Sequence, residues 1–180
     1  FLKLLKLSNT KKYGAYVFTS NVDGQFQKAG FKEEEVMECH GSIHHMQCID
    51  NCQGMLWSAD DTFIEIEEGF KAKEPLPTCP FCGAMARPNI LMFGDFGWEY
   101  ARTNGQRERL SKWIDRIQGE GAKLAIVEMG AGTAVPTVRN TSEQIAQRFA
   151  VPLIRINPRE SFGAKIELPM GAVEALEKII

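Results

Sequence analysis

The sequence predicts an α/β fold: a parallel sheet with helices on both faces and a small four-cysteine module inserted in it. Three features point there. Short apolar runs alternate with helical patterns along most of the chain. Each run ends in a polar or glycine-rich loop, as strands of a parallel sheet do at their carboxyl ends. Two cysteine pairs interrupt the alternation between residues 43 and 85.

The elements follow in order. Phe1-Leu2-Lys3-Leu4-Leu5-Lys6-Leu7 has the spacing of an amphipathic helix end. Tyr13 to Thr19 is apolar and β-prone, a buried strand closed by the polar loop Ser20-Asn21-Val22-Asp23-Gly24. Val36 to Ser42 is a second strand-to-loop unit. Inside the module, Thr62 to Glu67 alternates like a half-exposed strand. Asn89 to Asp95 returns to a buried strand and loop. Gln106 to Gln118 carries Leu110, Trp113, Ile114 and Ile117 on one helical face and ends at Gly119–Gly121. Lys123 to Met129 is the clearest strand, followed by Gly130-Ala131-Gly132-Thr133. Ser142 is placed to cap a helix from Glu143 to Phe149. Val151 to Asn157 forms another strand, and Gly171 to Ile180 a closing helix. The expected domains are residues 1–42 with 86–180, and an insert at 43–85.

At 180 residues the chain suits one medium domain, or a large one with a small insert. It is 44% apolar and 24% charged, an ordinary balance for a globular protein. A net charge of −2 gives no electrostatic reason to expect nucleic acid as a partner. No apolar run approaches the ~20 residues that cross a membrane. The opening segment is not a signal peptide, because lysines break its apolar stretch. A metal-type cysteine pattern without an export signal predicts a reducing compartment, the cytoplasm.

Cys48-x3-Cys52 and Cys79-x2-Cys82 supply four soft ligands on two short knuckles, which suits tetrahedral Zn²⁺. Disulfide pairing is the competing reading. Four thiolates would fill the coordination sphere, so such a metal is structural and the chemistry lies elsewhere.

Other candidates stay open on the residues alone. Gly130-Ala131-Gly132 between strand and helix would let backbone N–H groups meet a phosphate, but a plain strand-to-helix turn accounts for it equally. His40 ends a strand before Gly41, where a side chain can project into a crevice and take a proton near neutral pH. Packing or surface placement is its bland alternative, as for His44 and His45. Cys39 should face the interior if His40 faces the cleft. Asn21 and Asp23 could bind an amide or a sugar hydroxyl, or simply form a turn with Gly24.

In this order the segments resemble the sirtuin family of NAD-dependent protein deacylases. The resemblance rests on Thr19-Ser20-Asn21-Val22-Asp23-Gly24, Ala29-Gly30, Glu38-Cys39-His40-Gly41-Ser42 and the cysteine pairs. Further along it rests on Arg87-Pro88-Asn89-Ile90-Leu91-Met92-Phe93-Gly94-Asp95, Gly130-Ala131-Gly132-Thr133 and Arg155-Ile156-Asn157. It implies a Rossmann-like NAD-binding domain carrying a zinc ribbon, with NAD as co-substrate and structural Zn²⁺ on Cys48, Cys52, Cys79 and Cys82. It implies that Ser20, Asn21 and Asp23 line the nicotinamide and nearby ribose pocket. His40 is implied as the general base, and Gly130, Gly132, Thr133 and Asn157 as holders of the NAD phosphates and adenosine ribose. Ile90 to Gly94 would form the edge strand for an acyl-lysine peptide, with Ile90, Leu91, Phe93 and Gly94 as substrate contacts.

Departures from the family pattern matter too. Ser20 stands for the usual Gln, Ala131-Gly132 for Thr-Ser, and Asp95 for Glu; the first knuckle is one residue longer than is commonest; Phe96-Gly97-Trp98 lacks the usual proline. The family's first strand, its Gly-Ala-Gly-x-Ser phosphate loop and its NAD-covering loop have no counterpart here, and the chain begins with Phe1. The NAD-binding domain is therefore expected to be incomplete at its N-terminus, and a true fragment to bind NAD weakly or not at all. Three functions are carried forward. They are a protein-lysine deacylase, an NAD-cleaving or ADP-ribosyl-transferring relative, and a non-enzymatic zinc-ribbon binding module.

Overall fold

A computed structural model describes residues 1–179; Ile180, the last residue of the expected closing helix, lies outside the described residues. The chain forms two compact units, Tyr16–Ser111 and Phe1–Ala15 with Lys112–Ile180.

In the Tyr16–Ser111 unit, β1 (Val17–Thr19) and β2 (Val36–Glu38) pair in parallel, Val17 opposite Val36 and Thr19 opposite Glu38. The crossover between them holds a short helix, α2 (Gln25–Lys28), and a 3₁₀ turn at Glu33–Glu35. Val36 and Met37 are buried, as a covered strand requires. The buried Glu38 carboxylate is compensated by Arg102 Nη2 at 2.6 Å, since an unpaired charge there would be costly.

The second sheet of this unit is antiparallel, with β3 (Gly41–Cys48) between β4 (Leu56–Ser58) and β5 (Ala86–Ile90). Its register breaks. Ser42 faces Asn89, but the next partners are Met46 and Pro88. Ile43, His44 and His45 therefore bulge opposite a proline that has no N–H to offer. The bulge is used elsewhere: Ile43 N donates to Val22 O at 2.9 Å, and a ring nitrogen of His44 lies 3.2 Å from Asp23 O. The loop after β1 is thus stitched to the start of β3.

Gly41 is fixed by geometry. Its φ is +82°, and a Cβ there would sit 2.0 Å from the carbonyl oxygen of Asn89. Gly41→Ala is expected to cost about 3 kcal/mol or more, checked by urea unfolding; an unchanged midpoint would contradict this account of the turn.

Three sequence expectations are corrected here. Thr62–Glu67 is not a strand. It enters a small hairpin with one bridge, Ile66 opposite Ala72, in which Phe63 and Phe70 are almost fully exposed. The alternating pattern there has no buried face to serve. Only Ile90 of the segment Ile90–Gly94 lies in a strand. Gly94 turns the chain at φ +68°, and Arg87 Nη2 clips the loop through Asp95 at 2.8 Å. Helix α3 starts earlier than expected and runs Ala101–Gly119, with Ile114 and Ile117 buried.

In the other unit, α1 (Leu2–Asn9) bears out the amphipathic opening. β6 (Ile126–Met129), β7 (Leu153–Ile156) and β8 (Ile166–Leu168) form a parallel sheet in that order, and α4 (Thr137–Phe149) packs on β6 and β7. α5 (Ala172–Ile179) closes the unit with Ala175 and Leu176 buried. Ser142 does not cap α4, which begins five residues earlier, at Thr137. Its hydroxyl instead lies between the Glu128 carboxylate and the Arg139 carbonyl. Glu128 and Arg155 are register partners on β6 and β7 and pair in full burial; Arg155 Nη2 also reaches Glu143 at 2.7 Å.

Candidate functional site

Four cysteine sulfurs converge within 4.8 Å of one another. Cys48–Cys82 and Cys52–Cys79 are each 3.7 Å apart. A zinc tetrahedron with bonds of about 2.3 Å separates its sulfurs by about 3.8 Å, whereas a disulfide brings them to about 2 Å. The five cysteines are free thiols. The donor set and its spacing therefore fit structural zinc and not a disulfide pair.

Backbone chemistry builds each knuckle. Gly83, at φ +77°, donates to Cys79 O at 3.0 Å and closes the second. The extra residue of the first is absorbed by Asn51, which takes φ +48° and donates to Cys48 O at 3.2 Å. Trp57 of β4 packs edge-to-face on Phe81 of the second knuckle. Backbone donation from Cys52 pulls the Cys48 thiol down to about 7, while the neighbouring Cys82 thiol and burial push Cys52 up to about 12. A cation bound among the four sulfurs would hold them all as thiolates.

His40 sits half-buried on the two-residue turn between β2 and β3. The backbone of this turn is held from both sides. Cys39 N donates to Thr19 O at 2.9 Å, and Leu91 N donates to His40 O at 2.9 Å. The turn therefore lies against both the loop after β1 and the start of the Leu91–Gly94 segment. In that loop Asn21 is exposed, with its N–H on Thr19 Oγ1 at 3.1 Å, and Asp23 Oδ1 accepts from Gln25 N at 3.3 Å. Asp23 thus serves the turn, whatever else it binds. Phe93 is 92% exposed.

Cys39 is buried beside His40, and burial pushes its thiol up to about 11. A thiol so seldom ionised is a poor nucleophile. Iodoacetamide at neutral pH is expected to leave Cys39 unmodified in the folded chain; its rapid alkylation would reopen a catalytic role. Burial, and then the charge of Arg102, hold His45 below the usual imidazole range, so it packs as a neutral ring.

The second group follows β6 and β7. Gly130 turns at φ +69° with open space on its Cβ side, and Gly130 N donates to Ile156 O at 2.9 Å. Asn157 Nδ2 donates to Ala131 O at 3.1 Å, which joins the two loop ends. Sequence reasoning missed Glu160, whose carboxylate accepts from Thr133 Oγ1 at 2.6 Å and Thr133 N at 3.2 Å. The available clue was the Asn157-Pro158 turn, in which Asn157 Oδ1 accepts from the backbone of Arg159 and Glu160. Arg87 and Asp95, which shape the Leu91–Gly94 loop, were noted only as part of a motif.

The Sir2 family profile matches residues 1–108. A Fusarium oxysporum protein named "Probable bifunctional ADP-ribose hydrolase/ADP-ribosyltransferase" is 30% identical over 79% of this chain and 25% of its own length. NAD-dependent protein deacetylase 2 of Caldanaerobacter subterraneus is 37% identical over 49% of this chain and 33% of its own length. The chain thus spans a quarter to a third of these relatives. A Sir2 homologue solved with ADP-ribose superposes with a TM-score of 0.66 at 22% identity, over 99% of this chain and 63% of that one; it shares the fold. The profile covers more than half of the sequence, and the chain belongs to the Sir2 family.

Proposed function

We propose that this chain belongs to an NAD-dependent protein-lysine deacylase, which moves the acyl group from lysine to ADP-ribose and releases nicotinamide. One observation carries the reading. The polar candidates all stand at the carboxyl ends of parallel strands: Ser20, Asn21 and Asp23 after β1, His40 after β2, Gly130 to Thr133 after β6, and Asn157 after β7. That is where parallel sheets bind ligands. Relatives named NAD-dependent deacetylase and deacylase support it.

The open space beside Gly130 fits a nucleotide at that turn. When bound, NAD supplies a ribosyl carbon that can exchange nicotinamide for the acyl-lysine oxygen. This chain's residues take the following parts. Asn21 and Asp23 orient the nicotinamide side, and Gly130, Gly132, Thr133 and Asn157 serve the adenosine side. His40 takes a proton from a ribose hydroxyl, which requires a neutral imidazole held within hydrogen-bond reach; the two backbone bonds around it supply the fixed position. β5 is an edge strand of its sheet, so Ile90 can pair with an extended acyl-peptide, while Leu91, Phe93 and Gly94 flank the acyl-lysine.

Zn²⁺ on Cys48, Cys52, Cys79 and Cys82 holds the insert, 43–85, within the NAD-binding domain, 1–42 and 86–180. Free thiols favour a reducing compartment such as the cytoplasm. Among the described residues no helix is long and apolar enough to cross a membrane.

ADP-ribosyl transfer or NAD hydrolysis is the second reading. It is favoured by the Fusarium relative, whose match reaches further along this chain than those of the deacylases. Mass spectrometry of products from the protein with NAD, with and without an acetyl-lysine peptide, separates the two. Acylated ADP-ribose only with peptide supports the deacylase. Free ADP-ribose regardless of peptide supports NAD cleavage.

A further inference from the structure

The polar loop after β1 does not hold itself in place. Within it, Asn21 N donates to Thr19 Oγ1 at 3.1 Å and Gln25 N to Asp23 Oδ1 at 3.3 Å. Both are local bonds of a turn. Ties to another element come from the bulge of β3. Ile43 N donates to Val22 O at 2.9 Å, and His44 Nε2 lies 3.2 Å from Asp23 O. A carbonyl oxygen only accepts, so Nε2 carries the ring proton and donates.

The ring is firmly mounted. His44 N donates to Ser42 Oγ at 3.2 Å, and His44 O accepts from Ala59 N at 3.0 Å. Ser42 itself is buried. The register break between Ser42 and Met46 takes His44 out of the ladder with β5 and leaves it for this contact. Gly24 makes room for the ring. Its φ is +65°, and a Cβ there would come 2.8 Å from His44 Cδ2 and 2.9 Å from Nε2. Bulge and loop are thus shaped to each other.

We infer that His44 is a positioning residue for the nicotinamide side: its Nε2–H latches the Asn21–Gly24 loop to β3 and so orders the loop before the dinucleotide arrives. This inference rests on the nucleotide reading above, which gives Asn21 and Asp23 to that side. A loop ordered in advance loses less conformational freedom when its ligand binds. Without the ring, that loss falls on the binding step. One such hydrogen bond is worth about a 3–10-fold change in an equilibrium constant. The chemical step is shielded, because the turn carrying His40 is held by other bonds, Cys39 N to Thr19 O and Leu91 N to His40 O.

The test is steady-state kinetics of nicotinamide release with an acetyl-lysine peptide, comparing the parent protein with His44→Ala. The KM for NAD and the inhibition constant of added nicotinamide are expected to rise about 3–10-fold, with kcat within about twofold. ADP, which lacks the nicotinamide ribose, should bind both proteins alike. His44→Gln, whose amide N–H can reach the same carbonyl, should restore the parent values. His44→Phe, which fills the space without a donor, should not. Hydrogen exchange gives a reading independent of turnover: the Ile43 amide should exchange faster in His44→Ala and the Leu91 amide should not. Unchanged KM and inhibition constant in His44→Ala, a His44→Gln variant no better than His44→Ala, or a joint loss of kcat and ADP affinity would overturn this inference and leave the nucleotide reading intact. A parent protein that neither binds nor turns over NAD would overturn both.

Discussion

Replacing His40 with alanine is expected to lower nicotinamide release in the presence of acyl-peptide by about 10²–10⁴-fold, the usual contribution of a positioned acid–base group. The loss should fall on turnover. The turn around His40 is held by main-chain bonds, Cys39 N to Thr19 O and Leu91 N to His40 O, which the substitution leaves in place. Dinucleotide affinity and zinc content should therefore stay close to those of the parent. Steady-state kinetics with calorimetry on the same preparation decide it. Unchanged turnover would remove His40 from the chemistry. A collapse of turnover, affinity and zinc content together would make it a folding residue instead.

Replacing Cys79 with serine is expected to abolish binding of one equivalent of zinc and to unfold the insert first. Cys79 is 2% exposed, and its Sγ lies 3.7 Å from that of Cys52. Structural zinc contributes on the order of 10 kcal/mol to small four-ligand modules, more than any hydrogen bond in the Thr62–Thr78 stretch could offset. Limited proteolysis should cut between residues 53 and 78 before it cuts elsewhere. Elemental analysis checks the metal. Less than half an equivalent in the freshly purified parent, or a serine variant as protease-resistant as the parent, would count against the metal.

Much of this was legible because each feature is written locally. The cysteine pairs, the strand before Gly130 and the face of α3 depend on spacing alone, and spacing survives folding. What stayed hidden depends on residues distant in sequence. Ser142 before Glu143 looks like a cap, but α4 starts at Thr137 behind Pro136, and the serine hydroxyl goes to Glu128 instead. The strand quality of Gly41 to Cys48 is masked by two histidines and a glycine. It emerges only when Ala86 to Ile90 pairs alongside. β8 is three residues long and has little pattern to show. Glu160 reads as a surface acid until the Asn157 turn folds it back onto Thr133.

β3 has one last consequence. Gly41, next to His40, begins it, and the metal ligand Cys48 ends it about 20 Å away. Between them the fully buried Gln47 and Asn89 side chains hydrogen-bond at 2.8 Å, tying β3 to β5. A chelator acting at one end would loosen the rail on which the other end is mounted. Inhibition by chelating agents would then look like metal catalysis although no metal touches the reacting atoms, and only the time course, with unfolding of residues 53–78 preceding loss of turnover, would tell the two apart.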